Sequence, residues 1–366
     1  MRLEGIDILR GLAVSVVVLY HFFELLGLHN SAYYPFVISI GQIGVPLFFV
    51  ISGYLIYRSV DYSISKKGLK PGLKQYFMHR LFRILPAYYF NFFIVFLLAF
   101  YIFHTMDTWS SDFIREQILA HLNFTAFFTY KIAGLGLNGA YWTLSIEMLW
   151  YIIAPIFFIF IRKDRYLILL FISSLFYLLA LDYSLLDTFL NLDKKTNNYI
   201  YLLYYWSFQL PGQLIYFIAG IFIYKYSKNE AYIPRYVQYT LFISLILLFT
   251  YLSTQKYFLE SFTVKSSITL ITVVSLFIIF YRHRLRELHL LAWIGKISYS
   301  LYLWHMPLLF FIKKYILPYD FSFIFIIILF VVLLFSISSL SYYVIEEGGF
   351  HMRKKFESKI IPGQKK

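Results

Sequence analysis

Long apolar runs, broken by short polar and basic segments, recur from the first ten residues of the chain to the last. Ten of them reach the roughly 20 residues that a bilayer-spanning helix needs: 7–28, 36–57, 76–104, 140–161, 166–184, 206–226, 235–254, 264–281, 293–316 and 321–345. The pattern predicts an all-α, polytopic integral membrane protein of about ten transmembrane helices. One membrane domain is expected over 1–350, followed by a basic tail at 351–366. The first run leads into Glu24 and bulky aromatics, offers no small-x-small cleavage site and contains Arg10, so it reads as a retained helix rather than a signal peptide. No internal repeat is visible, and the inverted-repeat signature of many transporters is absent with it.

Composition supports the membrane assignment: 60% of the 366 residues are hydrophobic and 14% charged, against about 45–50% and 25% in soluble proteins. No cysteine is present, which excludes a thiol nucleophile, a disulfide framework and a thiolate metal site; with no zinc-type or P-loop motif, no metal is expected. A formal net charge of +14 would suit nucleic acid, but the basic residues follow topology instead. With a cytoplasmic N-terminus, 24 of the 33 fall on the inside and 8 outside, as the positive-inside rule requires. An even number of spans then returns the C-terminus to the cytoplasm. The segment before the third span, with Lys66, Lys67, Lys70 and Lys74, is more basic than topology alone demands. Outside, the two longest loops, 105–139 and 185–205, carry acids and aromatics that could rim a site for a polar substrate. Within the first, Gly134 to Gly139 reads as flexible, with Asn138 a candidate helix cap.

Against this apolar background the ionisable residues stand out. Arg10 and His21 are eleven residues apart, about three helical turns plus some 20°, so they share one helix face with a rise of about 16 Å between them. Asp7 and Glu24 fall near the same stripe. An ionisable side chain at membrane depth costs several kcal/mol unless it faces a partner or a wet cavity, which makes function its default reading. The plain alternative is an arginine that snorkels to the interface and a hydrogen-bonded core histidine. Histidine is the natural general base near neutral pH, and a carboxylate one turn away would fix its tautomer.

Arg80 and Arg83, at i and i+3 where the chain enters the third span, can converge on one anionic group; contact with lipid phosphates is the competing account. Glu147 lies well inside the fourth span after Tyr141-Trp142-Thr143-Leu144-Ser145, with no lysine or arginine within a turn. Gly44 to Tyr54 supplies Pro46 for a kink and small residues for close helix approach. Tyr302 and His305, beside Trp304, suit interfacial anchoring about as well as catalysis.

These pieces together resemble the acyltransferase-3 family of membrane acyltransferases, which O-acetylate bacterial surface polysaccharides. The elements occur in family order: Arg10 with ten residues before His21; Gly44 to Tyr54 with its Phe-Phe-Val-Ile-Ser-Gly-Tyr; Arg80-Leu-Phe-Arg83-Ile-Leu-Pro; Trp142-Thr-Leu-Ser145-Ile-Glu147; and Ile297-Ser-Tyr-Ser-Leu-Tyr302-Leu-Trp-His305-Met-Pro307. The chain departs from the family at Val45-Pro46, where an acid often precedes the Phe-Phe pair, at Met148-Leu149 after the glutamate, and at Glu346-Glu347-Gly348, where the family closes with Glu-x-Pro. These departures bear on the substrate more than on the reaction. A fused C-terminal soluble domain, found in some members, is not expected here.

The resemblance implies acetyl-CoA as a co-substrate, with no tightly bound cofactor, held through its phosphates by Arg80 and Arg83. The acceptor it implies is a hydroxyl of a lipid-linked or cell-surface glycan, such as lipopolysaccharide O-antigen or exopolysaccharide. His21 would serve as general base or as an acetyl relay, Arg10 would orient the donor or stabilise the oxyanion, and Glu147 would position the acceptor or tune His21; Glu24, Trp142, Ser145, Tyr302 and His305 are candidate acceptor or supporting residues. Expected partners are acetyl-CoA, the glycan and membrane lipids, with no nucleic acid, and the expected location is the bacterial inner membrane. A transporter or flippase for an anionic lipid-linked sugar needs the same buried charges and is the main rival.

Overall fold

The computed structural model describes residues 4–130, 137–161, 163–226, 234–281 and 288–360. Among the described residues all regular structure is helical. In chain order the α-helices are α1 (Glu4–Leu25), α2 (Tyr34–Gly41), α3 (Gly44–Lys67), α4 (Leu69–Leu97), α5 (Ser111–Leu122), α6 (Tyr141–Phe160), α7 (Asp164–Asp182), α8 (Tyr199–Ser207), α9 (Leu210–Tyr226), α10 (Arg235–Ser253), α11 (Lys256–Glu260), α12 (Phe262–Phe280), α13 (His289–Lys296), α14 (Ser298–Tyr315), α15 (Phe323–Ser341) and α16 (Glu347–Ile360). Short π-helical turns extend α4 over Leu98–Ile102 and α15 over Tyr342–Glu346. Polar starts set several boundaries. Ser110 accepts from the Phe113 N–H to open α5, and Ser261 accepts from the Val264 N–H to open α12. Asp182 adds a carboxylate at the α12 start, taking the Phe262 and Thr263 amides at 2.7 and 3.0 Å, where the helix dipole favours negative charge.

Nine helical stretches among the described residues are long and apolar enough to cross a membrane: Glu4–Leu25, Tyr34–Lys67, Leu69–Ile102, Tyr141–Phe160, Asp164–Asp182, Tyr199–Tyr226, Tyr236–Ser253, Phe262–Phe280 and Phe323–Glu357. The expected ninth span, 293–316, is the one that does not appear as a single rod. The chain breaks at Ile297 between α13 and α14, and α14 is diluted by Ser298, Ser300, His305, Lys313 and Lys314. The kink expected at Pro46 is also absent. Pro46 sits in the first turn of α3, where a missing N–H costs nothing. The two long loops are partly helical, through α5 and α8. Gly134 and Gly136 of the expected flexible stretch, and the end of the basic tail at 361–366, lie outside the described residues.

The chain forms two compact units, Met1–Arg58 with Ile152–Lys296, and Ser59–Tyr151 with Ile297–Lys366. In the first, α1 packs against α13, α2 and α12. Glycines make the closest approaches: a Cβ on Gly11 would stand 2.1 Å from the Leu291 carbonyl oxygen, and one on Gly295 1.7 Å from that of Asp7. Gly53 on α3 and Gly220 on α9 face each other's helices in the same way, 2.1 and 2.2 Å from the Phe217 and Val50 oxygens. This is the small-residue packing by which membrane helices associate. In the second unit α14 lies against α15 and α4, and α16 returns along α4.

Candidate active site

In the first unit the informative helix is α1. Ile8, Leu9, Ala13, Val14 and Val17 are buried, while Arg10 and His21 are only partly so. The His21 Nδ1 lies 3.0 Å from the Val17 carbonyl oxygen. A carbonyl can only accept, so Nδ1 carries the proton and, in the neutral ring, Nε2 carries the lone pair. The expected orienting carboxylate is therefore not the group that sets the tautomer; the backbone one turn back does so. Glu24 is engaged elsewhere, accepting from the Tyr34 hydroxyl at 2.6 Å, while its charge still reaches His21. The Tyr20 ring meets the imidazole edge-on at 5.1 Å. Arg10 sits on the same helix at the height of the Gly11 contact with α13.

The second unit holds a separate polar group built by α4 and α6. Glu147 accepts from the Tyr151 hydroxyl, one turn on, at 2.7 Å. Fully buried Tyr76 donates to the Tyr151 carbonyl at 2.9 Å, which ties the two helices together. The Arg80 guanidinium lies over both rings, 5.6 Å from that of Tyr151 and 5.9 Å from that of Tyr76, and Arg83 adds its charge near Tyr151. The sequence offered no cation within a turn of Glu147; the fold brings two from a different helix. Aromatic faces suit guanidinium, which is weakly hydrated and stacks flat.

A third group lies where α6 begins against α14. The Asn138 side chain accepts from the Ala140 N–H and donates to the Leu303 carbonyl, both at 3.0 Å, so it closes an Asx turn just ahead of α6 and pins it to α14. The Tyr302 hydroxyl meets the Thr143 hydroxyl at 2.7 Å and the Ala140 carbonyl at 3.1 Å. His305 is fully buried and donates from Nδ1 to the Tyr302 carbonyl at 2.7 Å. Tyr302, Trp304 and His305 are thus interior residues and not interfacial anchors. Ser145 is buried, and Trp142 packs on Phe127 at 5.3 Å. Beside this group, on α5 of the 105–139 loop, His121 is buried, donates to the Gln117 carbonyl at 2.7 Å and stacks on Phe92. Burial disfavours its imidazolium and holds its pKa below the usual value, which the backbone bond offsets only in part.

A model of the acyltransferase domain matches residues 3–343, nearly the whole chain. The chain belongs to this acyltransferase family. Residues of the acyltransferase are 28% identical over 305 positions, 81% of both chains, to a provisionally named acetyltransferase of Acidianus two-tailed virus. A provisionally named O-acetyltransferase of Staphylococcus aureus strain COL is 26% identical over 86% of this chain and 52% of its own length. The peptidoglycan O-acetyltransferase OatA of Listeria monocytogenes is 26% identical over 83% and 49%. The acyltransferase thus spans about half the length of its staphylococcal and listerial relatives. No solved structure matches it.

The structure of the acyltransferase therefore distributes the predicted residues over its two units. Arg10, His21 and Glu24 share α1; Arg80, Arg83 and Glu147 gather around Tyr151; Ser145, Tyr302 and His305 belong to the α6–α14 junction. Four partners were not singled out from sequence: Tyr34, Tyr151, Asn138's contact with α14, and Glu346. The last is 3% exposed and accepts from the Ser300 hydroxyl at 2.6 Å. The sequence places it just past the tenth apolar run, where an acid reads as interfacial. Its signal was the polar face Ser338, Ser341, Tyr342 and Glu346, spaced for one side of the helix, and the π-helical turn that ends there.

Proposed function

We propose that the protein is an O-acetyltransferase of the bacterial plasma membrane that moves an acetyl group from cytosolic acetyl-CoA to a hydroxyl of a cell-surface or lipid-linked glycan. The observation that carries the chemistry is the His21 hydrogen bond to the Val17 carbonyl, which leaves Nε2 basic in the neutral ring. In this reading Nε2 takes the proton as the acceptor oxygen attacks the thioester carbonyl. Collapse of the tetrahedral intermediate breaks the C–S bond, and the departing thiolate recovers that proton from the imidazolium, giving the acetyl ester and free CoA. A fixed tautomer is what such a base requires, since a ring free to flip would present N–H to the hydroxyl as often as a lone pair.

Arg80 and Arg83 would hold the donor's phosphates; they stand on the basic approach to α4, where guanidinium forks match phosphate oxygens. Glu147, satisfied by Tyr151, would position the acceptor. At about 16 Å along a straight helix, Arg10 cannot share one small acetyl group with His21, so its part is to grip a remote portion of the donor or to fix α1. Similarity to a listerial peptidoglycan O-acetyltransferase supports a glycan as acceptor. The test uses purified protein, labelled acetyl-CoA and glycan acceptors. Acetyl transfer that is lost in His21→Ala is expected; glycan transport without any transfer would replace this reading with the flippase.

A further inference from the structure

Lys265 is the only charged residue of α12, four residues into that apolar helix. Its place in the first unit follows from how α1 and α12 pack. Gly5, at the start of α1, closes onto the Phe280 and Tyr281 carbonyls at the end of α12, so the two helices run side by side in opposite directions. From that contact His21 lies 16 residues along α1, a rise of about 24 Å, and Lys265 lies 15 residues back along α12, a rise of about 22 Å. The two side chains therefore arrive at the same end of the unit. Tyrosines occupy the interval. Tyr20 stands edge-on to His21 at 5.1 Å and within charge-interaction range of Tyr204 on α8, and Lys265 Nζ lies 5.7 Å from the Tyr204 ring.

The ammonium is caged by rings rather than paired with an acid. Fully buried Phe258, on α11, stands 6.0 Å from Nζ on another side and is itself braced edge-on by Phe249; Tyr204 is braced the same way by Phe262. Among the described residues Lys265 Nζ makes no hydrogen bond and no ion pair. The acids of the neighbouring segments are engaged elsewhere: Glu24 with the Tyr34 hydroxyl, Asp182 with Ser261 and the first amides of α12, Asp187 with Tyr199 and Lys194, and Glu260 with Lys256. Position adds to the imbalance, because the start of a helix favours negative charge, not a cation. Ring faces attract an ammonium without cancelling its charge, and such a group within an apolar span is costly until an anion joins it. Lys265, Tyr204, Tyr20 and His21 are all half-buried, so a ligand can reach them.

We propose that Lys265 is a specificity-determining residue that binds a carboxylate of the acceptor, which makes the acceptor a glycan containing an acidic sugar. This assignment rests on the O-acetyltransferase reading and names the substrate class within it. An ammonium is one compact charge, not a planar fork, and so matches a monoanion. A donor phosphate does not suit the place. A thioester at His21 keeps the phosphates of acetyl-CoA the length of the pantetheine arm away, whereas two tyrosine rings separate Lys265 from His21.

The test is binding of a uronic-acid oligosaccharide and of its neutral methyl ester to the full chain in phosphatidylcholine nanodiscs, read by saturation-transfer NMR, alongside acetyl transfer from labelled acetyl-CoA to the same pair. The wild type is expected to favour the uronate over the ester about tenfold, the worth of a charge-assisted hydrogen bond. Lys265→Gln should abolish that preference and Lys265→Arg should restore it, a pattern that loss of fold cannot produce. No preference in the wild type, or one that survives in Lys265→Gln, overturns the assignment. Phosphatidylglycerol added to the nanodiscs should not compete with the uronate; competition that Lys265→Gln removes gives the ammonium to a lipid headgroup and overturns the acceptor assignment. The O-acetylation reading is separately decided. Lys265-dependent uronate binding with no transfer to either glycan keeps the anion site and removes that reading, whereas transfer to both alike, unaltered in Lys265→Gln, does the reverse.

Discussion

Gly295→Ala tests whether the fold of the first unit sets the position of the proposed base. The new Cβ would stand 1.7 Å from the Asp7 carbonyl oxygen, and Cβ atoms do not come within 3.0 Å of such neighbours. The obstacle is backbone on both sides, so no side chain can swing away; α1 and α13 must part by about 1.3 Å. Overpacking of this kind costs about 1–3 kcal/mol. The larger effect is expected in catalysis, because α1 carries both Arg10 and His21 and a 1 Å misplacement of a reacting group costs about 10²-fold. Acetyl transfer by purified Gly295→Ala should therefore fall about a hundredfold in kcat, with a lowered unfolding temperature in detergent. Gly11→Ala, which meets the Leu291 oxygen at 2.1 Å from the other side of the seam, should repeat the result. Gly348→Ala, with nothing within 4 Å, should keep wild-type activity. Wild-type kcat and unfolding temperature in Gly295→Ala would refute the close-contact reasoning. Lower stability with unchanged kcat would show that the register of α1 does not govern the chemistry.

Tyr151→Phe keeps the ring under Arg80 and the carbonyl that Tyr76 donates to, and removes only the hydroxyl bond to Glu147. A fall of about tenfold in kcat, the worth of one hydrogen bond to a charged group, is expected, and a KM change alone would count against a role for Glu147 in positioning the acceptor. Ser300→Ala takes the hydroxyl donor from buried Glu346 and should destabilise the second unit by about 1–3 kcal/mol, read as a lower midpoint of thermal unfolding; an unchanged midpoint would mean the bond contributes nothing net. For His121, whose folded-state pKa is lowered by burial, the unfolded chain binds a proton below about pH 6.5 that the folded chain does not. Stability should therefore fall as pH drops from 7.5 to 5, and the part of that fall due to this residue should vanish in His121→Gln; an unaltered pH profile in the variant would exclude the assignment.

The helical class, the spacing of the apolar runs and the Arg10–His21 face were legible because each depends on period and length alone. What the sequence could not supply was partners across helices. Glu147 reads as isolated along its own helix, yet Arg80 and Arg83 reach its hydrogen-bond partner from α4, about 65 positions earlier in the chain. In the sequence a carboxylate one turn from His21 could fix its tautomer, whereas in the structure a carbonyl one turn back does so. Tyr302 and His305 suit interfacial anchoring about as well as catalysis in the sequence, because tyrosine and tryptophan favour headgroups; in the structure Asn138 and Thr143 bind α14 to the start of α6, and Tyr302 and His305 are buried. Pro46 misled for a different reason. Its effect depends on where the helix starts, and a break at Gln42–Ile43 places it in a first turn.

The 35 tyrosines have a physical logic that apolar patterning hides. A polar group inside the membrane must find its hydrogen bond within the protein, and tyrosine brings a donor on a ring that packs like phenylalanine. Here that donor goes to backbone oxygens, from Tyr76 to Tyr151, Tyr88 to His121 and Tyr302 to Ala140, and to carboxylates, from Tyr34 to Glu24 and Tyr151 to Glu147. Ser300 plays the same part for Glu346. A hydroxyl satisfies one lone pair of a carboxylate without cancelling its charge, unlike a direct arginine fork, which fills both oxygens. In the O-acetyltransferase reading proposed above, that retained charge is what would let Glu147 position the acceptor hydroxyl.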